Sequence, residues 1–248
     1  MTFQEQMVSV FGNRYDLEGK VILEVGADAH LLSARQLIAG GARFVLAINL
    51  WRNWVHSPAR NVMAITADIR EADTVIGEES IDGVFGINIL EHVNNMPKVM
   101  DAIRKVLRPG GFFLLHGHPI WTSAHGHHIL VKGDGGTYNF ADESNPIPPW
   151  AHLYMTEPEM ADCLGSKGVP PRDIAAITRW VYHFEGLNRL PLKEIDATIR
   201  GSGLAIDQVS TSDGLALGAP VEAILRSTRW WDETERFDVR QITYFGSK

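Results

Sequence analysis

Short apolar runs alternate with amphipathic segments along the first half of the chain. The runs at residues 20–25, 43–48 and 61–65 are rich in β-branched residues, which is typical of strands buried on both faces of a parallel sheet. Between the first two runs, apolar residues recur at helical spacing over 31–38, and a Gly-Gly pair at 40–41 marks the end of that helix. The pattern therefore predicts a strand–helix–strand unit followed by a third strand.

The same alternation continues towards the C-terminus. It predicts strands at residues 81–88, 112–116, 204–211 and 239–245, a helix at 96–107, and two or three helices across 156–177 and 192–201. Strands and helices in this order favour right-handed βαβ crossovers. The predicted fold class is α/β, a doubly wound Rossmann-like domain with a mostly parallel seven-stranded sheet and helices on both faces. A ligand should bind beyond the carboxyl ends of its strands.

From residue 119 to about 150 the periodicity stops, and Gly, His, Pro and Trp dominate. Irregular segments of this length are uncommon in compact domains unless they are functional. We interpret the segment as an insertion after the fifth strand. Residues 1–248 are then expected to form a single domain in which 119–203 is an acceptor-binding cap.

Composition narrows the class of protein. The 248 residues are 45% hydrophobic and 21% charged, as in soluble globular proteins, and the single cysteine, Cys163, fits a reducing compartment. The N-terminal segment is polar and acidic, and no apolar run reaches the length of a membrane span. The net charge of −7, with scattered Lys and Arg, argues against a nucleic-acid partner. We expect a cytoplasmic enzyme acting on a small molecule without membrane contact, and the sequence is compatible with a homodimer.

Five segments follow one another in a specific order: LEVGADAH, AINLW, TADIR, IDGVFGINILEHV and VLRPGGFFLL. The series resembles the successive motifs of class I S-adenosylmethionine-dependent methyltransferases, particularly the branch with an LEHV segment after the fourth strand. It spans roughly residues 20–118, about half of the chain. The resemblance implies S-adenosyl-L-methionine as cofactor and methyl transfer as activity.

The resemblance also implies a set of cofactor-binding residues. Glu24 would hold the methionyl ammonium, Asn49 the ribose hydroxyls and Asp68 the adenine amino group. Gly26 lacks the Cβ that would obstruct a ligand, and the following helix is expected to offer free N–H groups to the methionyl carboxylate. The complete implied set is Glu24, Gly26, Ala27, Asn49, Leu50, Asp68, Ile69, Gly86 and Ile87.

Two departures from the family pattern stand out. The family's turn is usually ExGxGxG, whereas this chain has EVGADAH, with Asp28 and His30 in place of two glycines. Asn49 is neutral where the family usually has an acid. A nicotinamide enzyme, which begins similarly, would need GxGxxG and an acid about 20 residues later, and both are missing. A non-catalytic binding protein on the same scaffold remains an alternative.

Six of the ten histidines lie at positions 116, 118, 125, 127, 128 and 152. Transfer to a hydroxyl needs a base, and histidine suits that role because its pKa lies near neutrality. The candidate catalytic residues are His118, His127 and His128, together with His92 of the LEHV segment. Two other interpretations are a metal site, for which the spacing matches no known ligand pattern and no ligands are assigned, and simple hydrogen bonding within the loop.

Four tryptophans, Trp51, Trp54, Trp121 and Trp150, fall in loops predicted at the ligand end of the sheet, where they could stack on a ligand or pack the loops. The combined prediction is an S-adenosylmethionine-dependent methyltransferase acting on a small polar acceptor, a sugar or another secondary metabolite. Oxygen is the preferred target atom, with a histidine base. A metal-assisted methyltransferase using the histidine-rich loop is a further alternative.

Overall fold

A computed structural model describes residues 1–50, 54–55 and 60–248, and its main element is a seven-stranded sheet in the order β3-β2-β1-β4-β5-β9-β8. The strands are β1 (Val21–Val25), β2 (Phe44–Asn49), β3 (Val62–Thr66), β4 (Ile81–Gly86), β5 (Leu107–Gly117), β8 (Ala205–Asp213) and β9 (Val239–Ser247), while β6 (Leu130–Gly133) and β7 (Gly136–Asn139) form a separate hairpin. The helices are α1 (Phe3–Arg14), α2 (Leu32–Ala39), α3 (Ala72–Ile76), α4 (Met96–Val106), α5 (Ala151–Tyr154), α6 (Glu157–Ser166), α7 (Pro171–His183), α8 (Leu192–Arg200) and α9 (Ala219–Leu225), with a short 3-10 turn at Ile69–Glu71.

The sheet is doubly wound. Strand β1 pairs in parallel with β2 on one side and with β4 on the other, β2 pairs in parallel with β3, and β4 with β5. Ile22 and Leu23 are consecutive on β1, so their side chains point to opposite faces, and both are fully buried. Both faces at β1 are therefore covered. The predicted fold class, a mostly parallel seven-stranded Rossmann-like sheet, is confirmed.

The chain divides into two compact units. Unit 1 comprises Met1–Gly117, Asp196–Ser210 and Thr243–Lys248, and unit 2 comprises His118–Ile195 and Thr211–Ile242. In unit 1, one buried cluster joins Phe11 of α1 and Leu37 of α2 to Phe85 of β4, so these helices pack on one face of the sheet. The cap over residues 119–203 stays a prediction.

Unit 2 has its own apolar core, although much of its sequence lacks periodicity. Trp121, Trp150 and Ile177 belong to one buried cluster with residues of α6, α7 and α9. The hairpin is anchored to α7 by the buried Asp173, whose carboxylate accepts hydrogen bonds from the Gly135 N–H at 2.7 Å and from the Tyr138 hydroxyl at 2.9 Å. Gly and Pro in this region thus mark tight turns around a packed core.

Several elements differ from the sequence-based expectation. Helix α1 was not predicted; its Thr2 and Glu5 form a reciprocal capping box that begins the helix. The strand that the pattern predicts at residues 112–116 begins earlier, because residues 107–111 are extended as well and form the first part of β5. Strand β4 ends at Gly86, because Asn88 adopts a left-handed conformation with φ of 51°. Within residues 1–50, 54–55 and 60–248, the structure contains no helix with the length and apolar character that crossing a membrane requires.

Candidate functional site

The predicted cofactor residues meet at one edge of the unit 1 sheet. In the parallel register, Val25 lies opposite both Ile48 and Gly86, and Asn49 lies opposite Thr66. The carboxyl ends of β1 to β4 are therefore level with one another. This alignment brings together Glu24, Gly26, Ala27, Asn49, Leu50, Asp68, Ile69, Gly86 and Ile87, as the order of the motifs predicts.

The turn after β1 is fastened to the end of β2. Gly26 has a φ of 76°, and the N–H groups of Gly26 and Ala27 donate to the Ile48 carbonyl at 3.0 and 3.3 Å. A Cβ at Gly26 would lie 2.6 Å from Cγ2 of Ile89. The glycine thus leaves room for the Ile89 side chain of the same unit, and its clearance for a ligand stays a prediction.

Glu24 is a buried carboxylate at the end of β1, with 2% of its surface exposed. One carboxylate oxygen is near the hydroxyl of Ser33 and the N–H of Ala34, both in the first turn of α2, while Oε2 has no hydrogen-bond partner. Burial, reinforced by the nearby negative charge of Asp28, raises the pKa of Glu24 to about 8. A cation placed at Oε2 would relieve this unfavourable desolvation.

Asp28 lies in the turn that leads from β1 to α2. Its carboxylate accepts hydrogen bonds from the N–H groups of His30 at 2.8 Å and Leu32 at 3.0 Å. The N–H groups expected to be free for a ligand carboxylate are thus already bonded to a side chain, which corrects that expectation. The N-cap residue of α2 is Leu31, which makes no side-chain capping hydrogen bond, and Asp28 satisfies these N–H groups from the turn before the helix.

Asn49 and Asp68 are also engaged within unit 1. The Asn49 side chain donates to the Ala27 carbonyl at 2.9 Å and accepts from the Leu50 N–H at 2.6 Å, so it ties the end of β2 to the turn after β1. Asp68 accepts from the Arg70 guanidinium at 2.5 Å, and this hydrogen bonding lowers the pKa of the Asp68 carboxyl. The side-chain oxygens of both residues have further lone pairs that can accept hydrogen bonds from a ligand. The Asn49 amide also has a second N–H that can donate to one.

The loop after β4 is fixed by the end of β5. The His116 carbonyl accepts from the Ile89 N–H at 3.0 Å, and His116 Nδ1 accepts from the Asn88 N–H at 3.3 Å. This loop carries Glu91, which is 4% exposed, and His92, whose Nε2 lies 3.9 Å from Glu91 Oε1. Unit 1 therefore contains a histidine beside a buried carboxylate.

The other three candidate histidines belong to unit 2. Burial, and secondarily the charge of Arg240, lowers the pKa of His118 to about 4. His127 is fully buried, and its Nδ1 accepts from the Ile129 N–H at 3.3 Å. The His128 ring lies edge-on to Phe140, with ring centroids 4.4 Å apart. Burial also lowers the pKa of His127. The catalytic roles of His118, His127 and His128 stay predictions.

The tryptophans occupy different settings. The Trp54 indole N–H donates to the Thr66 hydroxyl at 2.9 Å, so its ring lies at the end of β3. Trp121 and Trp150 are buried in the unit 2 core. Trp51 lies outside the described residues.

Sequence reasoning missed several residues of this edge. It noted Asp28 only as a missing glycine, although an Asp just before a predicted helix is a capping signal. It did not identify Ser33 and Ile89, which contact Glu24 and Gly26, because only the folded chain brings them there.

Comparisons with known proteins agree with this fold. Residues 23–115 match the profile of a methyltransferase domain. No curated protein sequence matches the chain. Among solved structures, the fold is similar to an S-adenosylmethionine-dependent methyltransferase from Mesorhizobium loti (15% identity, 98% of each chain covered, TM-score 0.57). It is also similar to phosphoethanolamine N-methyltransferase 2 from Haemonchus contortus in complex with S-adenosyl-L-methionine (14% identity, 99% of this chain and 52% of that chain covered, TM-score 0.54).

Proposed function

We propose that this chain, whose residues 23–115 match a methyltransferase domain, is a class I S-adenosylmethionine-dependent methyltransferase that transfers a methyl group to a small polar acceptor such as a sugar or another polar metabolite. The observation that carries the proposal is the unpartnered Oε2 of the buried Glu24 at the carboxyl end of β1. A buried carboxylate oxygen without a partner is costly unless a ligand completes its hydrogen bonding. An ammonium group is the complementary ligand.

The residues at this edge fit most of the cofactor. Glu24 would hold the methionyl ammonium, the Asn49 amide the ribose, and Asp68 together with the Ile69 N–H the adenine. The fit is weakest for the methionyl carboxylate, because Asp28 occupies the N–H groups of His30 and Leu32. The structure of the Haemonchus contortus neighbour with S-adenosyl-L-methionine supports the choice of cofactor.

The bound cofactor supplies a methyl group already activated on a sulfonium, so the chain's own residues have to position the reactants and accept a proton. We assign the proton acceptor to His92 of unit 1 in preference to His118, His127 and His128. Glu91 is buried and 3.9 Å from His92 Nε2, so its charge favours protonation of the imidazole. In contrast, the lowered pKa of His118, about 4, makes it a weak base.

Replacing His92 tests this assignment. We expect His92→Gln to lower kcat by about 10²–10⁴-fold while leaving cofactor affinity unchanged, because the side chain acts on the acceptor proton. Glu91→Gln should lower kcat less and shift the acidic limb of the kcat–pH profile to lower pH, because a neutral neighbour no longer stabilises the protonated imidazole of His92.

The two changes are compared with His183→Gln, a surface histidine of α7 paired with Glu157. Turnover that stays normal in His92→Gln would show that another group takes the proton.

Two measurements test the proposed function itself. Calorimetry with S-adenosylhomocysteine is expected to show one binding site, and mass spectrometry of polar metabolites incubated with protein and cofactor is expected to show the gain of one methylene. Absence of binding at millimolar S-adenosylhomocysteine would refute the cofactor assignment. Binding without methylation of any acceptor would instead identify a non-catalytic binding protein.

A further inference from the structure

Two imidazole rings, those of His127 and His152, touch each other in the core of unit 2. Their ring centroids lie 5.3 Å apart in an edge-on arrangement, and the Trp121 indole packs edge-on to His152 with centroids 4.7 Å apart. His127 is fully buried, and His152 is 4% exposed. We call His127 and His152 the histidine pair. Folding therefore removes both rings from bulk water.

Hydrogen bonds determine which nitrogen atom of each neutral ring carries the proton. His127 Nδ1 accepts from the Ile129 N–H at 3.3 Å, so Nε2 carries the proton of His127. His152 Nε2 lies 2.8 Å from the Trp121 carbonyl oxygen, which can only accept, so Nε2 also carries the proton of His152. The other two nitrogens, His127 Nε2 as a donor and His152 Nδ1 as an acceptor, are inaccessible to solvent and have no hydrogen-bond partner.

A second proton cannot be accommodated on either ring of the histidine pair. On His127 it would have to bind Nδ1, where it would oppose the Ile129 N–H and abolish that hydrogen bond. On His152 it would bind Nδ1, which has no acceptor nearby. A buried charged N–H group without an acceptor is strongly unfavourable. The native packing of unit 2 therefore requires both imidazoles to be neutral.

The basic groups around the histidine pair oppose its protonation further. His125 and His128 belong to the same segment as His127, and a positive charge on either disfavours one on His127. The Arg189 guanidinium lies 5.5 Å from the centre of the Trp121 ring, and the charge of Arg240 lowers the pKa of His125. The cations near the pair thus add to the cost of an imidazolium.

The acidic groups of the surrounding elements are engaged elsewhere. The Glu235 carboxylate accepts from the hydroxyl of Thr122, the residue after Trp121, and from two backbone N–H groups. Asp173 of α7 accepts from the hairpin of β6 and β7. Within the described part of the chain, no carboxylate is among the groups that act on either ring of the pair. No counter-ion is therefore available to a protonated ring.

The resulting pKa values fix the direction of the pH effect. Burial, and then the charges of the neighbouring histidines, lowers the pKa of His127 well below its ordinary value, and burial lowers the pKa of His152 to about 4. A histidine of the unfolded chain has a pKa of about 6.5. Because the folded-state pKa lies below this value, the unfolded chain binds more protons between the two. The contribution of each ring to stability is complete above pH 6.5 and is lost as the pH falls towards 4.

We propose that the histidine pair is an acid-sensitive switch that opens unit 2 in mildly acidic solution and lets it close again when the pH is restored. Opening exposes both rings to water, so each can take up a proton that the closed core refuses. Because the two rings pack against each other, exposing one also exposes the other, and the protons are taken up together. The switch concerns the folding of unit 2 alone and does not depend on the proposed function.

Urea unfolding of the intact protein, without cofactor, tests the switch at pH values from 7.5 to 5. Tryptophan fluorescence reports on unit 2, which contains five of the seven tryptophans. For one histidine with a folded-state pKa of about 4, the unfolding equilibrium constant should rise by about 30-fold over this range, and for two such histidines by about 10³-fold.

Two substitutions keep the native hydrogen bonds but cannot titrate. His127→Asn has an amide oxygen that can accept from the Ile129 N–H, and His152→Gln has an amide N–H that can donate to the Trp121 carbonyl. Each should reduce the acid-induced rise by about 30-fold. His183→Gln, which replaces an exposed histidine of α7, should retain the full rise. Glu24 contributes a pH dependence of opposite sign, but it is present in every variant and cancels in the comparison.

A second measurement decides the matter even where a variant fails to fold. In NMR spectra of the wild type, the ring C–H signals of the histidine pair should not titrate between pH 7.5 and 5 as long as unit 2 is folded. Titration of both rings near pH 6.5 in folded unit 2 would overturn the proposal. An acid-induced rise that is equal in the wild type and both variants would do so too, as would fluorescence that does not recover when the pH returns to 7.5.

Discussion

Glu24→Gln is expected to weaken S-adenosylhomocysteine binding by about fiftyfold at pH 8, because it removes the charge from a hydrogen bond to the ligand ammonium. The effect should depend on pH. With the pKa of Glu24 raised to about 8, the free protein holds this carboxyl largely protonated at pH 7, so a cation must displace a proton to bind. Wild-type affinity should therefore rise by about tenfold per unit from pH 6 to pH 8 and then level off. Calorimetry at several pH values measures the affinity of the wild type and of Glu24→Gln for S-adenosylhomocysteine.

Two matched variants test whether the Glu24 carboxyl causes the pH dependence of the affinity. Glu18→Gln removes an exposed acid near the start of β1 and should leave affinity and its pH dependence unchanged. Asp28→Asn removes the charge that reinforces the shift, so the plateau should begin at lower pH. Because the folded-state pKa of Glu24 lies above its unfolded value, wild-type stability should fall as pH rises from about 4.5 to about 8. Glu24→Gln should remove this loss, and an affinity unaffected by the substitution would contradict the assigned site.

Glu235→Ala is expected to destabilise unit 2 by about 3 kcal/mol. The Glu235 carboxylate is 8% exposed and accepts hydrogen bonds from the Thr122 hydroxyl at 2.6 Å, the Leu192 N–H at 3.0 Å and the Lys193 N–H at 3.1 Å. Truncation leaves these donors without their acceptor. Urea unfolding followed by tryptophan fluorescence measures the loss, since five of the seven tryptophans belong to unit 2.

Glu233→Ala provides the control, because Glu233 is two residues away and exposed. Its unfolding midpoint should match that of the wild type within error. Equal destabilisation by both substitutions would show that general charge loss, and not the buried hydrogen bonds of Glu235, accounts for the effect.

The fold could be predicted where local pattern and burial agree. Strand β1 is buried on both faces, as in a parallel sheet, so its short apolar run rich in β-branched residues identifies it. Strands β6 and β7 have only four residues each and contain glycine, which leaves too little pattern to detect. Helix α1 buries only Met7, Val8 and Phe11, and its weak periodicity hid it despite the capping box.

For the candidate site, the sequence predicts the positions of the residues but not their hydrogen-bond partners. The positions of Glu24, Asn49 and Asp68 follow from sequence, because parallel strands end at one edge. Their hydrogen-bond partners do not, since the bond from Asn49 to Ala27 and the burial of Glu24 under α2 depend on three-dimensional packing. Likewise, a histidine-rich segment suggested catalysis, but only the folded unit 2 shows that His127 is fully buried with one unpaired nitrogen.

The hydrogen bonds that Asp28 accepts from His30 and Leu32 affect which ligand group can bind before α2. Because the Asp28 carboxylate is tethered a few residues from the N–H groups it occupies, it competes with any incoming anion at a high effective concentration. A ligand whose anionic group binds the N–H groups of His30 and Leu32 has to displace the Asp28 carboxylate. The edge of β1 therefore binds the positively charged group of a ligand more favourably than its anionic group.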